Sequence, residues 1–392
     1  MSRLLYVAPR YPWPPRRGDQ LRCLETFRLL AEKHTVTALV PERPAGAPPP
    51  EPPPGVEVRF YAPGGPGERL RGLASALGAG LPLQSGLFWH ADLARRLRAE
   101  VPRHELVIFE LSRLAPHLGD LGEAPLVTDF IDSLALNFER RAACDRPWLS
   151  PLWRLEGRRL ARAEARLVAR SRAALVVAER DRRHLASALE PALRGRLRVV
   201  PLLAPVVPSA PTARETETVI LTGNLGYFPN RHGAAWFLRE VWPRLSRRRP
   251  GAKLVLAGAR PPASLARLAR RQGARLLASP PDLRGLLASA TVALAPLFAG
   301  SGLPIKILEA WAAGVPVVAS PWAAAGTSAE PGTDLLVAEE PEEWVDALEA
   351  LLGRPGERER LAAAGRARLG RDYGHDAVAG ALEAALAQAL AG

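Results

Sequence analysis

A lysine and a glutamate three residues apart, Lys306 and Glu309, follow a glycine-rich turn in the segment LFAGSGLPIKILEAWAAGVPVVAS, Leu297 to Ser320. Gly300 and Gly302, on either side of Ser301 and just before Leu303, let a backbone approach a ligand closely. Pro304 suits the first turn of a helix and Gly314 the position just past its end, so a helix is expected from about 304 to 313. The amides and dipole at such a helix start favour an anion such as a diphosphate. A lysine in that first turn opposes the dipole unless an anion sits beside it, and a bound phosphate resolves the conflict. By helical spacing Ile305, Leu308 and Ala312 should face the core, leaving Lys306 and Glu309 toward a cleft. Read from the residues alone, the pair is equally well a solvated Lys–Glu contact worth a few tenths of a kcal/mol.

Further candidates flank other predicted strands. Asn224, Asn230, Arg231 and His232 occupy a glycine-containing turn. There Asn230 reads as a helix cap and Arg231 as the better phosphate ligand, since a guanidinium engages phosphate oxygens in pairs. In VTDFIDS, Asp129 and Asp132 end a predicted strand, where open α/β sheets place their ligand crevice; they are candidates for a base and its orienting group, or one simply caps the next helix. Near the start, Gly18 admits close approach, Asp19 precedes a helical run and reads as its cap, and Arg22 is open between a phosphate contact and a solvated surface position.

The elements that must position these residues come as apolar runs of four to six alternating with amphipathic stretches: Leu4 to Ala8, Val36 to Val40, Val56 to Tyr61, Leu106 to Phe109, Leu126 to Phe130, Leu175 to Ala178 and Leu197 to Val200. That pattern indicates a parallel sheet covered on both faces, a doubly wound α/β domain. The proline-rich stretch 41–55 is expected as a surface loop, and 134–172 as one long basic helix or a kinked pair broken at Pro147 or Pro151. A second series follows, with strands Thr218 to Thr222, Lys253 to Ala257, a short one near Leu276, and Val292 to Ala295. Between these lie helices Asn230 to Arg249, Pro262 to Gln272 and Pro281 to Ser289. The expected domains are 1–203, a linker 204–216, 217–373, and a C-terminal helix within 374–392.

Composition narrows the class. At 392 residues with 47% hydrophobic and 24% charged side chains, the chain is globular and long enough for two cores. The two cysteines, Cys23 and Cys144, have no metal-ligand spacing, no long apolar run or leader is expected, and no His-, Cys- or carboxylate-rich metal motif occurs, so a cytoplasmic protein without a required metal is expected. The net charge is +13, carried almost wholly by arginine, since Lys33, Lys253 and Lys306 are the only lysines. This favours anionic partners or reflects an arginine bias on solvated faces. No helix-turn-helix, zinc finger or aromatic-interleaved basic strand supports a nucleic-acid partner.

The segment 297–320 resembles the donor-binding motif of the family 4 glycosyltransferases, which share the GT-B fold: two doubly wound Rossmann-like domains facing each other across a cleft. TGNLGYFPNRHGAAWFLREVWPRL, Thr222 to Leu245, and YPWPPRRGDQLRCLETFRLLAEKHTV, Tyr11 to Val36, resemble a subgroup linked to exopolysaccharide and exosortase systems. The resemblance implies a nucleotide-diphosphate-sugar donor, UDP-sugar favoured, with Glu309 on the ribose, Gly18 approaching the donor phosphates, and a glycan or lipid-linked acceptor. It implies retention of anomeric configuration. The motif's first glutamate is replaced by Ser301, so contacts from that position to the sugar do not carry over. A nucleotide-sugar epimerase, a non-catalytic family member and a basic nucleic-acid-binding protein are the competing readings. The basic helix within 154–172 suggests peripheral contact with anionic membrane at its inner face.

Overall fold

The computed structural model describes residues 1–15, 17–204 and 216–391. The chain divides into two units, Met1–Leu203 with Asp376–Gly392, and Ala204–His375. Most of the expected linker, 205–215, lies outside the described residues.

The first unit is built on seven parallel strands, β1 (Arg3–Val7), β2 (Thr35–Pro41), β3 (Val56–Tyr61), β4 (Leu106–Glu110), β5 (Leu126–Ile131), β6 (Ala173–Val176) and β7 (Leu197–Val199), in the order β3-β2-β1-β4-β5-β6-β7. Strands β4, β5 and β6 are buried along their whole length, as continuous apolar runs require when helices cover both faces. The helices are α1 (Gly18–Ala31), α2 (Pro66–Gly78), α3 (Leu83–Gly86), α4 (Ala91–Glu100), α5 (Leu134–Cys144), α6 (Ser150–Arg170), α7 (Glu179–Ser187) and α8 (Pro191–Arg194). Alternate residues of β1 divide between two cores: Leu4 and Tyr6 pack with Phe27 and Leu30 of α1, Leu5 and Val7 with Leu93 and Leu97 of α4.

The stretch expected as one helix or a kinked pair is the pair: α5 ends at Cys144, Pro147 opens a single 3-10 turn, and Pro151 sits in the first turn of α6, where its missing amide is harmless. The proline-rich loop 41–55 is tied down by Tyr11 and Trp13, whose side chains donate to the carbonyls of Pro48 (2.8 Å) and Glu51 (3.1 Å).

The second unit has six parallel strands, β8 (Thr218–Thr222), β9 (Lys253–Gly258), β10 (Arg275–Ala278), β11 (Val292–Ala295), β12 (Val317–Ala319) and β13 (Leu336–Val337), in the order β10-β9-β8-β11-β12-β13. Its helices are α9 (Phe228–Trp236), α10 (Trp242–Arg248), α11 (Ala263–Arg271), α12 (Leu283–Ser289), α13 (Ile305–Ala312), α14 (Pro321–Ala324), α15 (Pro341–Gly353) and α16 (Pro355–Tyr373). The single helix expected over 230–249 is instead α9 and α10 joined by one π-helical turn, Phe237–Val241. Pro243 supplies the reason: it lacks an amide proton and its ring would collide with the carbonyl four residues back, so the turn before it widens.

The last helix, α17 (His375–Ala391), buries Val378, Leu382, Ala385, Leu386 and Ala389 in the same core as Leu4, Tyr6 and Phe27 of the first unit. Among the described residues no helix is long and apolar enough to cross a membrane.

Candidate functional site

In the second unit the glycine loop occupies the carboxyl end of β11. Gly300 (φ 99°) and Gly302 (φ 70°) both lie in the left-handed region, which a side-chain-bearing residue rarely adopts. The loop is held from its far side: the Ser320 hydroxyl donates to the carbonyl of Leu297, and Trp322 Nε1 donates to that of Gly300 at 3.0 Å. Helix α13 then starts at Ile305, with Pro304 as its cap, and closes in a Schellman turn: Gly314 (φ 66°) donates to Trp311 at 3.0 Å and Val315 to Ala310 at 2.8 Å.

The faces of α13 differ from the expected ones. Ile307, Leu308, Ala310 and Trp311 are buried, whereas Ile305 and Ala312 are half-buried. The helix is wedged between the sheet and α16, where Gly365 leaves room for the Trp311 ring, and Trp311 Nε1 donates to the carbonyl of Asp334 at 3.1 Å. Lys306 and Glu309 therefore project from a fixed base.

Lys306 Nζ donates to Asn230 Oδ1 at 2.8 Å, while Asn230 Nδ2 donates to the carbonyl of Asn224 at 3.0 Å. The three residues link the turn after β8 to the start of α13. Asn230 is thus not the expected cap, a position that Tyr227 holds; it lies inside α9 and steers the lysine. Asn224 Oδ1 accepts from the amide of Gly226 at 3.1 Å and shapes its own turn. Helix α9 is seated tightly, since a Cβ on Gly233 would lie 1.7 Å from the carbonyl oxygen of Pro296.

Burial pushes the Lys306 ammonium down to about 8, with Glu309 working the other way. Burial pushes the Glu309 carboxyl up, against the pull of Lys306 and Arg284. Both are held where their charges lack solvation, the condition under which a polar ligand is bound strongly. Arg231 is half-buried over the Phe228 ring, its Cζ 5.9 Å from the centroid, and pairs with no carboxylate among the described residues. His232 packs between the rings of Phe228 and Phe298. Ser301 and Leu303 lie in the loop, half-buried and buried respectively.

In the first unit the expected contacts redistribute. Gly18 opens α1, but Asp19 does not cap it: Arg17 holds the cap position, and Asp19, in the first turn, pairs with Arg10. Arg22 is neither on the helix surface nor positioned to meet a phosphate. It is 1% exposed and pairs with Asp129, itself 0% exposed, at 2.9 Å, with a further bond from Nη1 to the carbonyl of Pro201 at 2.7 Å. Burial works against the Arg22 charge, and the Asp129 carboxylate outweighs it. Asp129 also accepts from the amide of Ile131 at 3.0 Å. A carboxylate so enclosed is a structural counterion, which removes the reading of Asp129 as a base; Asp132 is half-buried just past the same strand.

Two residues at the carboxyl ends of neighbouring strands are strained. Leu111 (φ 67°) follows β4 and Ile131 (φ 64°) ends β5 at a bulge, both outside the region that side-chain-bearing residues favour. Glu110 at the end of β4 is fully buried, and that burial holds its carboxyl well above the usual carboxylate range. The sequence reading ended this strand at Phe109 and missed Glu110, Arg10 and Arg113; the signal was present as a charged residue closing an apolar run, LVIFE. Among the described residues no group of three or more His, Cys, Asp or Glu is gathered that could hold a metal ion.

Two doubly wound Rossmann-like units in one chain define the GT-B class, and solved structures of that class share the fold. Sucrose-phosphate synthase from Thermosynechococcus elongatus superposes with a TM-score of 0.72 at 16% identity, over 100% of both chains. HepE from Anabaena, in complex with UDP, gives 0.66 at 14% identity, over 99% of this chain and 100% of that one. An α,α-trehalose-phosphate synthase (UDP-forming) from Burkholderia vietnamiensis gives 0.68 at 16% identity, over 100% of this chain and 98% of that one. A search of curated proteins by sequence finds no match. The family model for glycosyl transferases group 1 matches residues 216–354, which include β8, α9, the glycine loop and α13. The second unit thus carries a glycosyl transferases group 1 domain.

Proposed function

We propose that the second unit binds a nucleotide-diphosphate sugar, with a UDP-sugar favoured, and that the sugar is transferred with retention to a glycan or lipid-linked acceptor held by the first unit. The observation that carries this reading is the glycine loop leading into α13, where Lys306 is tethered by Asn230 and Glu309 lies one turn further on. The ammonium and the helix start suit the diphosphate, Arg231 suits a phosphate oxygen, and Glu309 suits the ribose hydroxyls. The solved structures with UDP or UDP-glucose support the choice of base.

In the reaction so read, the bond between the anomeric carbon and the diphosphate oxygen breaks, and its electron pair leaves with the nucleotide. The acceptor hydroxyl oxygen bonds to the anomeric carbon from the same face, and its proton passes to the departing phosphate. Lys306 stabilises the charge developing on that phosphate; removing one preorganised donor of this kind slows turnover by roughly a hundredfold to a thousandfold. No metal is required in this scheme, because the cationic side chains do the neutralising.

The wider setting we propose is polysaccharide or glycoconjugate synthesis at the inner face of a membrane. Its support is α6, where Arg154, Arg158, Arg162 and Arg166 form an exposed stripe at four-residue spacing, beside exposed Trp148 (70%), Leu152 and Leu155. Co-sedimentation with liposomes should depend on anionic lipid and weaken with salt; binding equal on neutral vesicles would rule this setting out.

The transfer reading is tested by thermal shift against UDP, GDP, ADP and their sugar conjugates. One nucleotide should raise the unfolding temperature, and Lys306→Ala and Glu309→Ala should abolish the rise. No shift with any nucleotide would overturn the reading.

A further inference from the structure

The order of the first sheet reverses direction between β1 and β4, and in open α/β sheets the ligand crevice lies at that switch point, beyond the carboxyl ends of the strands. The loops that leave these two strands carry Arg10 and Arg113, each three residues past its strand. Both guanidiniums lie over one aromatic ring. Arg10 Cζ is 5.7 Å and Arg113 Cζ 5.4 Å from the centroid of Phe88. Phe88 is itself fixed, its amide donating to Ser85 at 3.0 Å and its carbonyl lying 3.2 Å from His117 Nε2.

The two arginines are not equally satisfied. Arg10 pairs with Asp19, but Arg113, half-buried, has no carboxylate partner among the described residues. Burial weakens its charge, Arg10 and Arg17 add to the effect, and Asp19 and Asp132 offset it only in part, so the group sits at about 10. It remains a cation at neutral pH. Burial holds the Glu110 carboxyl well above the usual carboxylate range, which works against its carrying a charge. Leu111, in the left-handed region between Glu110 and Arg113, shows that the backbone accepts strain where it delivers this side chain.

A cation placed at a ligand crevice and fixed on a ring, with Asp19 and Asp132 near but in no ion pair with it, is suited to receive an anion. We infer that Arg113, with Arg10 and the Phe88 ring, recognises a phosphate or carboxylate group on the acceptor, so that the acceptor sugar is an anionic one. This rests on the reading of the first unit as the acceptor domain. A planar guanidinium fork engages either anion through two parallel hydrogen bonds.

The test uses the full-length protein and isothermal titration with glucose 6-phosphate, glucuronate and glucose, without nucleotide. The anionic sugars should bind at least about tenfold more tightly than glucose, and whichever of the two binds better assigns phosphate or carboxylate. Arg113→Gln should abolish that preference. Arg113→Lys, which keeps the charge but loses the fork, should retain part of it, and unfolding midpoints for each variant check the fold. Lys306→Ala should leave the preference intact, and UDP binding should survive Arg113→Gln. The inference is overturned if no anionic sugar binds below about 10 mM, if glucose binds as well, or if the preference is lost in Lys306→Ala and kept in Arg113→Gln. Failure of UDP to bind the unaltered protein would sink the transfer reading instead, and it is scored separately because the sugar titrations contain no nucleotide.

Discussion

Replacing Asp129 by Asn tests whether that carboxylate is a counterion or a reagent. The amide keeps the shape and still accepts from Ile131, but the charge that answers Arg22 is gone. Arg22 would retain only the Pro201 carbonyl, in a setting where it is 1% exposed and its Nη2 already has no partner. Leaving one member of a buried pair uncompensated costs about 3–5 kcal/mol. For a unit of this size that corresponds to a fall in unfolding temperature of roughly 6–20 °C. Arg22→Met should also destabilise, since it leaves the buried carboxylate without its counterion. The double variant Arg22→Met/Asp129→Leu leaves no orphan, and replacing a buried pair by apolar side chains is often neutral or better, so most of the loss should be recovered. Urea unfolding of the unaltered protein, Arg22→Met, Asp129→Leu and the double variant closes the cycle, with Asp129→Asn as the shape-preserving control. If the single variants each lose under about 1 kcal/mol and their effects simply add, the pair is not coupled and the counterion reasoning fails. Asp129 would then return as a candidate for chemistry.

Three further outcomes are expected. Lys306 must be protonated to hold a phosphate and loses its proton near 8 in the free protein, so UDP affinity should fall as pH rises through that value, by up to roughly tenfold per unit, and Lys306→Ala should show no such slope. Gly365→Ala would place a Cβ 2.3 Å from Trp311 Cδ1; overpacking of about 1–3 kcal/mol should exceed the gain of about 1 kcal/mol from removing a helical glycine, and a stabilised variant would contradict this packing account. The Glu164 carboxyl is pushed up to about 8 by burial, against hydrogen bonds from Ala135 and Ser133. The folded protein therefore holds a proton that the unfolded chain has lost between the ordinary carboxylate value and 8. Stability should fall as pH rises through that window, and Glu164→Gln should flatten the slope measured by urea midpoints.

The strands were legible because burial on both faces leaves continuous apolar runs, and β8 and β11 fall where those runs lie. The two-residue β13 and the 3-10 stretch Ser112–Leu121 carry no such signature. Glycine and proline punctuation made the 300–314 segment readable, since each residue there has a backbone meaning of its own. The faces of α13 were not readable, because a helix wedged between a sheet and α16 buries more than one stripe. Arg22 and Asp129 stand 107 residues apart, and nothing local in either segment announces that they meet. The same holds for Arg10 and Arg113, which become neighbours only through the strand order.

The return of α17 to the first unit has a consequence for synthesis. Val378, Leu382, Ala385, Leu386 and Ala389 complete a core whose other members begin at Leu4. On the ribosome, the first unit must wait with an open apolar seam until those residues emerge, while the second unit, continuous from Ala204 to His375, can already close. The order of folding would thus run against the order of translation, and the first unit would stay exposed to chaperones and proteases until α17 has emerged.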